Sequence, residues 1–181
     1  MMKNVCVYCG SRTPKDPDLI QVANQLGEFL AQNKLGLVYG GGNVGVMGKI
    51  ADTVIDRKGH VIGIIPTALK EREVLHLGIS ETYETPDMHT RKALMEQKSD
   101  AFVILPGGFG TLDEFFEILT WRQLGIHNKP IILLNVKGYF DGLVQFMETA
   151  IEQDFVRADN RSLFKITSTI EETESLLNEL F

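Results

Sequence analysis

Three glycine-rich turns and a few charged side chains carry the chemistry that this sequence could perform. The turns are Cys9-Gly10-Ser11, Gly40-Gly41-Gly42-Asn43-Val44-Gly45 and Pro106-Gly107-Gly108-Phe109-Gly110-Thr111. Each closes a short apolar run, and the second and third open directly into a helical pattern. Glycine tolerates positive φ and carries no Cβ, so backbone N–H groups can converge on an anion. A helix N-terminus adds unsatisfied donors and the positive end of its dipole. Ser11 and Thr111 supply hydroxyls, and Ser11, Gly41 and Gly42 are candidates for a phosphate cradle. Any one such turn also suits a tight strand-to-helix connection on geometric grounds alone. Three at one sheet edge point to an anion. No GxxxxGK[ST] is present, which disfavours a P-loop NTPase. Gly40, Gly42 and Gly45 match GxGxxG, but that fingerprint belongs after the first strand. The acid expected about 20 residues later would fall near Gly59-His60, so a redox dinucleotide is not expected.

Charge is concentrated on two helical segments. Met88, Arg91, Lys92 and Met95 share one helical face at i, i+3, i+4 and i+7. Two readings stand open: solvated cations beside packing methionines, or methionines flanking a flat apolar base while Arg91 reaches polar ligand atoms. The run TLDEFFEILTWRQLGI places Asp113 and Glu114 in a first helical turn, where capping alone could account for Asp113. A carboxylate aimed at a phosphate cradle would repel the anion. A few ångströms away it could face the positive charge that develops on a sugar during glycosidic cleavage. Leu112, Phe115, Phe116, Ile118, Leu119, Trp121 and Leu124 run nearly all round this helix, so it is either simply buried or covered by a second subunit.

These residues need a scaffold. Apolar runs at Val5–Cys9, Leu35–Tyr39, Val61–Ile65, Ala101–Leu105 and Ile131–Asn135 read as strands, with weaker edge strands at Glu81–Thr85 and Phe164–Thr167. Helical periods cover Asp18–Asn33, Gly45–Lys58, Asp87–Lys98, Thr111–Gln123, Phe140–Asp154 and Ile170–Leu180. The alternation predicts an α/β fold: one domain over residues 1–181, a mainly parallel sheet with helices on both faces. Ligands bind outside the carboxyl ends of such strands, where the glycine turns fall. Pro66–Ser80, containing Lys-Glu-Arg-Glu, reads as a mobile flap beside the site.

Of 181 residues, 44% are hydrophobic and 23% charged, and the formal charge of −6 argues against nucleic-acid or anionic-membrane binding. No apolar run approaches the roughly 18–20 residues of a membrane span, and two cysteines suit a reducing cytoplasm. Cys6 and Cys9 form a CxxC, but residues three apart on a strand face opposite sides, which argues against redox or metal work. The four histidines lack metal-ligand spacing, and His89 reads as a surface residue.

With PGGFGTLDE at Pro106–Glu114, MHTRK at Met88–Lys92 and VYGGGNVGVMG at Val38–Gly48, the chain closely resembles the Lonely Guy family of cytokinin riboside 5′-monophosphate phosphoribohydrolases, often labelled lysine decarboxylases. The family pattern PGGxGTxxE is matched in full, and Asn43 stands where relatives often carry Ser. The resemblance implies a Rossmann-like, three-layer fold and a homodimer. The implied reaction is hydrolysis of the N-glycosidic bond of a nucleoside 5′-monophosphate, such as a cytokinin nucleotide or AMP, to base and ribose 5-phosphate. It implies no metal and no cofactor; no Schiff-base lysine is identifiable for pyridoxal phosphate. It makes Arg91 and Glu114 the catalytic pair. Substrate contacts would come from Glu73, Met88, Lys92, the turn Gly108, Phe109, Gly110, Thr111, Leu112 and Asp113, and Thr120. In that mechanism Glu114 stabilises an oxocarbenium-like sugar or takes a proton from water, while Arg91 keeps it ionised. Two other readings are a nucleotide-binding module without hydrolysis on the same scaffold, and a single-stranded DNA binder. The second would need a basic groove with stacking aromatics, against which the net charge speaks.

Overall fold

Alternating side-chain direction along the apolar runs decides the layers. The computed structural model describes residues 2–70 and 74–181. The seven described strands form one parallel sheet: β1 (Asn4–Tyr8), β2 (Gly36–Tyr39), β3 (Val61–Pro66), β4 (Glu81–Thr85), β5 (Ala101–Ile104), β6 (Ile131–Leu134) and β7 (Lys165–Thr167). In β1, Val5 and Val7 turn to one face and Cys6 and Tyr8 to the other, as a period of two requires. The helices are α1 (Pro17–Gln32), α2 (Gly45–Asp56), α3 (Met88–Gln97), α4 (Phe109–Gln123), α5 (Asp141–Glu152) and α6 (Ile170–Leu180). α1, α2 and α6 cover the first face through Leu26, Leu30, Ile50, Val54 and Leu177. α3, α4 and α5 cover the second, with Met95, Phe115 and Ile118 fully in the core and Leu143 and Met147 packed against it. The result is three layers with both sheet faces buried, as all-parallel strands demand.

Strand order is β4-β3-β2-β1-β5-β6-β7. The chain works outward from β1 to β4, then crosses back to place β5 on the other side of β1. Successive connections therefore diverge between β1 and β5, leaving a crevice outside their carboxyl ends. Both weak edge strands expected from the sequence are present, as β4 and β7. Helix starts are set locally. Asp16 accepts from Asp18 N and Pro17 occupies the first turn of α1; Asp87 accepts from Thr90 N at 2.7 Å and starts α3.

Candidate active site

The crevice between β1 and β5 holds a cavity of about 470 Å³. The turn after β1 (Cys9–Arg12) and the turn after β5 (Pro106–Thr111) form one wall, joined by Gly10 N donating to Pro106 O at 3.3 Å. No side chain caps α4, whose first residues Phe109, Gly110 and Thr111 border the cavity, so the helix presents its opening amides there. Gly107 must be glycine: a Cβ would lie 2.1 Å from Thr111 Oγ1 and 3.0 Å from Gly10 N. Tyr139 Oη, itself on the cavity wall, donates to Gly107 O at 2.7 Å and fixes the turn.

Arg91 and Glu114 face this same cavity from α3 and α4. Arg91 is 3% exposed, so its guanidinium is held rather than solvated. Its Nη2 donates to Gly40 O at 3.1 Å, and its Nη1 lies 3.7 Å from Met88 Sδ. Burial, reinforced by the charge of Glu114, pushes the Cys6 and Cys9 thiols far up; burial does the same to Tyr8, with Cys6 and Glu114 adding to it. Cys6 and Tyr8 on β1, and Cys9 just after it, are thus protonated, uncharged neighbours of Glu114.

The structure separates the residues named from the sequence. Ser11, Met88, Arg91, Gly108, Phe109, Gly110, Thr111, Asp113 and Glu114 line the cavity. Leu112 instead packs against the core beneath α4. Lys92 and Thr120 border a separate surface hollow with Asp113, Phe116, Glu117 and Trp121. There Lys92 Nζ lies 3.1 Å from Asp113 Oδ2 and 2.5 Å from Glu117 Oε2, and these two carboxylates raise its pKa against the opposing effect of burial. Asp113 borders both spaces. Met95 is a core residue, so the face shared by Met88, Arg91, Lys92 and Met95 divides three ways. Glu73 lies outside the described residues.

Gly41 and Gly42 are not brought to the cavity. Their turn follows β2, one strand away from the switch point, and its polar groups are used by the protein. The first amides of α2, Val46 N and Met47 N, donate to Gly10 O at 3.1 and 3.3 Å, so that helix start serves the β1 turn instead of an anion. Gly41 O accepts from His76 N, and Gly42 bridges Leu75. The expected flap is therefore pinned at its return limb.

Sequence reasoning missed Arg12, Met47, Leu69 and Tyr139, all on the cavity wall. Arg12 directly follows Ser11, and that adjacency was the signal available. Met47 lies inside the VYGGGNVGVMG run, whereas Leu69 and Tyr139 arrive from separate segments and carried no signal.

A parallel three-layer α/β sheet with a glycine-lined cavity at its switch point defines a nucleotide-binding class of fold. Residues 47–177 match the family described as "Possible lysine decarboxylase". The chain is 48% identical over 162 residues to the "Probable cytokinin riboside 5′-monophosphate phosphoribohydrolase LOGL9" of Oryza sativa subsp. japonica, covering 90% of this chain and 71% of the relative. To cytokinin riboside 5′-monophosphate phosphoribohydrolase LOG3 of Arabidopsis thaliana it is 44% identical over 177 residues, covering 98% and 82%. The chain belongs to this LOG family of cytokinin riboside 5′-monophosphate phosphoribohydrolases. Its fold is shared with the molybdenum cofactor binding protein of Rippkaea orientalis (TM-score 0.73, 23% identity, 99% and 98% of the two chains). It is shared too with DNA processing protein A of Helicobacter pylori, a single-stranded DNA binder (TM-score 0.62, 15% identity, 98% and 80%). At such identities the likeness is one of fold alone.

Proposed function

We propose that this protein hydrolyses the N-glycosidic bond of a nucleoside 5′-monophosphate, a cytokinin nucleotide or AMP, releasing the base and ribose 5-phosphate. The observation that carries the reading is the meeting of Arg91 and Glu114 in one cavity above the uncapped start of α4. The names of relatives 43–48% identical support it. The 5′-monoester docks on the amides of the Gly108–Thr111 turn, and this anchoring sets C1′ against Glu114. As the C1′–N bond breaks, its electron pair leaves with the base and the sugar becomes oxocarbenium-like. Glu114 stabilises that charge and takes one proton of the water whose oxygen bonds to C1′; the base, which leaves as its anion, takes up a proton from solvent, and Glu114 returns its own to solvent. Arg91, pinned by Gly40 O, orients the ribose phosphate. Met47, Met88 and Leu69 give the base a polarizable apolar surface.

Glu114→Gln keeps the shape and removes the charge. With AMP and N6-isopentenyladenosine 5′-monophosphate, release of base followed by chromatography should fall at least about 100-fold while nucleotide binding persists. Retained turnover would remove Glu114 from the chemistry and favour a binding module. We place the protein in the cytoplasm as a homodimer. No described helix is long and apolar enough to cross a membrane. The α4–α5 side supports the dimer, with exposed Leu124, Ile126 and Phe146 and an apolar groove lined by Phe116, Val144 and Met147.

A further inference from the structure

His76 sits outside the cavity and yet is 8% exposed, an unusual burial for an imidazole on a connecting segment. Both ring nitrogens are used. Nδ1 accepts from Gly78 N at 3.1 Å, which leaves the proton on Nε2, and Nε2 lies 3.0 Å from Asp52 Oδ1 on α2. The backbone around it is tied just as closely to the glycine turn after β2. Asn43 N donates to Val74 O at 2.8 Å, His76 N donates to Gly41 O at 2.9 Å, and Gly42 forms an antiparallel bridge with Leu75. Two left-handed residues make the approach: Gly41 at φ 80° and Val74 at φ 49°. For a β-branched residue that conformation is costly and persists only when its surroundings impose it.

The turn that receives this segment has a second client. Gly40 O holds the Arg91 guanidinium on the cavity side, while Gly41 and Gly42 hold the segment on the other. The other limb of the segment brings Leu69 to the cavity wall, and α2, which carries Asp52, begins with Val46 and Met47 on that wall. The His76–Asp52 pair thus ties the return limb to the helix beside the site, and the backbone bonds on either side of His76 tie it to the turn that grips Arg91.

We infer that His76 is a positioning residue: hydrogen-bonded to Asp52, it staples the return limb of the flap onto the glycine turn, and substrate capture depends on that staple. The inference rests on the hydrolase reading above and assigns to that site a control lying outside its walls. A fixed limb holds the glycine turn, and through Gly40 O the Arg91 guanidinium, in place before substrate arrives; a loose one leaves that turn to be ordered at the expense of binding.

Steady-state kinetics with AMP and N6-isopentenyladenosine 5′-monophosphate test it on His76→Ala, Asp52→Ala, the double variant and His76→Gln. KM should rise about tenfold in each alanine variant with kcat within about threefold, the signature of lost uniform binding. The double variant should be no worse than the larger single one, since the pair acts as a unit. His76→Gln retains an N–H for Asp52 and should bring KM back to within about threefold of the parent. Amide exchange supplies a readout independent of turnover: Asp52→Ala should speed exchange at Asn43 and His76 about tenfold and leave β1 unchanged. If the parent turns over nucleotide and KM stays within about twofold in both single variants, the staple is overturned and the hydrolase reading stands. Loss of kcat and thermal stability together, with KM unchanged, also overturns it by showing a merely structural role. A parent protein inert on both nucleotides would defeat the hydrolase reading, and exchange at Asn43 and His76 would then decide the staple.

Discussion

A Cβ placed on Gly40 would stand 2.1 Å from Arg91 Nη2, and Gly40 does not have a positive φ. Alanine therefore costs the backbone little there but evicts a guanidinium. Gly40→Ala should fold with Tm within about 4 °C of the parent and lose about 10- to 100-fold in kcat/KM, separating site geometry from stability. Calorimetry beside the nucleotide assay reads both. The cysteines make the opposite case. Cys6 and Cys9 are buried on opposite faces of the sheet, and burial raises both thiols far above their ordinary range. A thiol-specific chromogenic reagent should find neither in the native protein and both after unfolding, because the thiolate is the reacting species.

Among the elements, α2 depends most on one residue. Gly45 begins it at φ 63°, with a built Cβ 2.4 Å from Arg12 N and 2.5 Å from Ser11 C, both backbone atoms that cannot step aside. Gly45→Ala should destabilise by about 3 kcal/mol or more in urea unfolding, through combined strain and clash. The segment after α4 carries a pH dependence. His127 is buried; Nε2 meets Ile118 O at 2.9 Å, Lys129 N donates to Nδ1, and desolvation lowers its pKa from the ordinary 6.5. Stability from a lowered imidazole is complete above pH 6.5, where both states are neutral, and is lost as pH falls toward the folded value because the unfolded chain protonates first. His127→Gln, which keeps a donor for Ile118 O, should flatten the fall in Tm between pH 6.5 and about 5.

Across the whole molecule, the exposed apolar surface is unevenly spread. Leu124 (67% exposed), Ile126 (63%) and Phe146 (64%) lie on the α4–α5 side, where a second copy would bury them. Sedimentation should show a dimer. Phe146→Asp should shift it toward monomer with Tm of the folded protomer nearly unchanged, since that side chain contributes little to the core. A parent protein that sediments as a monomer at micromolar concentration would remove the dimer.

How much could be read from the chain follows from what is local. Apolar runs with β-branched residues marked the five central strands to within a residue or two, because burial on both faces leaves little alternative composition, while the half-exposed edge strands β4 and β7 gave only a weak signal. The 3.6-residue period likewise marked the helices, and the structure shows the starts of α1, α3 and α6 capped by Asp16, Asp87 and Thr169. The expectation that Arg91 and Glu114 share a site came from the family resemblance of the two local motifs that carry them, and both line one cavity. Strand order was not legible, and strand order decided that Gly41 and Gly42, so similar to the Gly107–Gly108 turn in sequence, lie off the cavity while Ser11 and Arg12 lie on it. Nor could the chain alone say that Lys92, next to Arg91, turns instead to Asp113 and Glu117, or that His76 finds Asp52. Composition and spacing determine which elements form and which functional groups they carry. Which groups meet is set by how the sheet orders its strands, a property of long-range packing that no window of sequence contains.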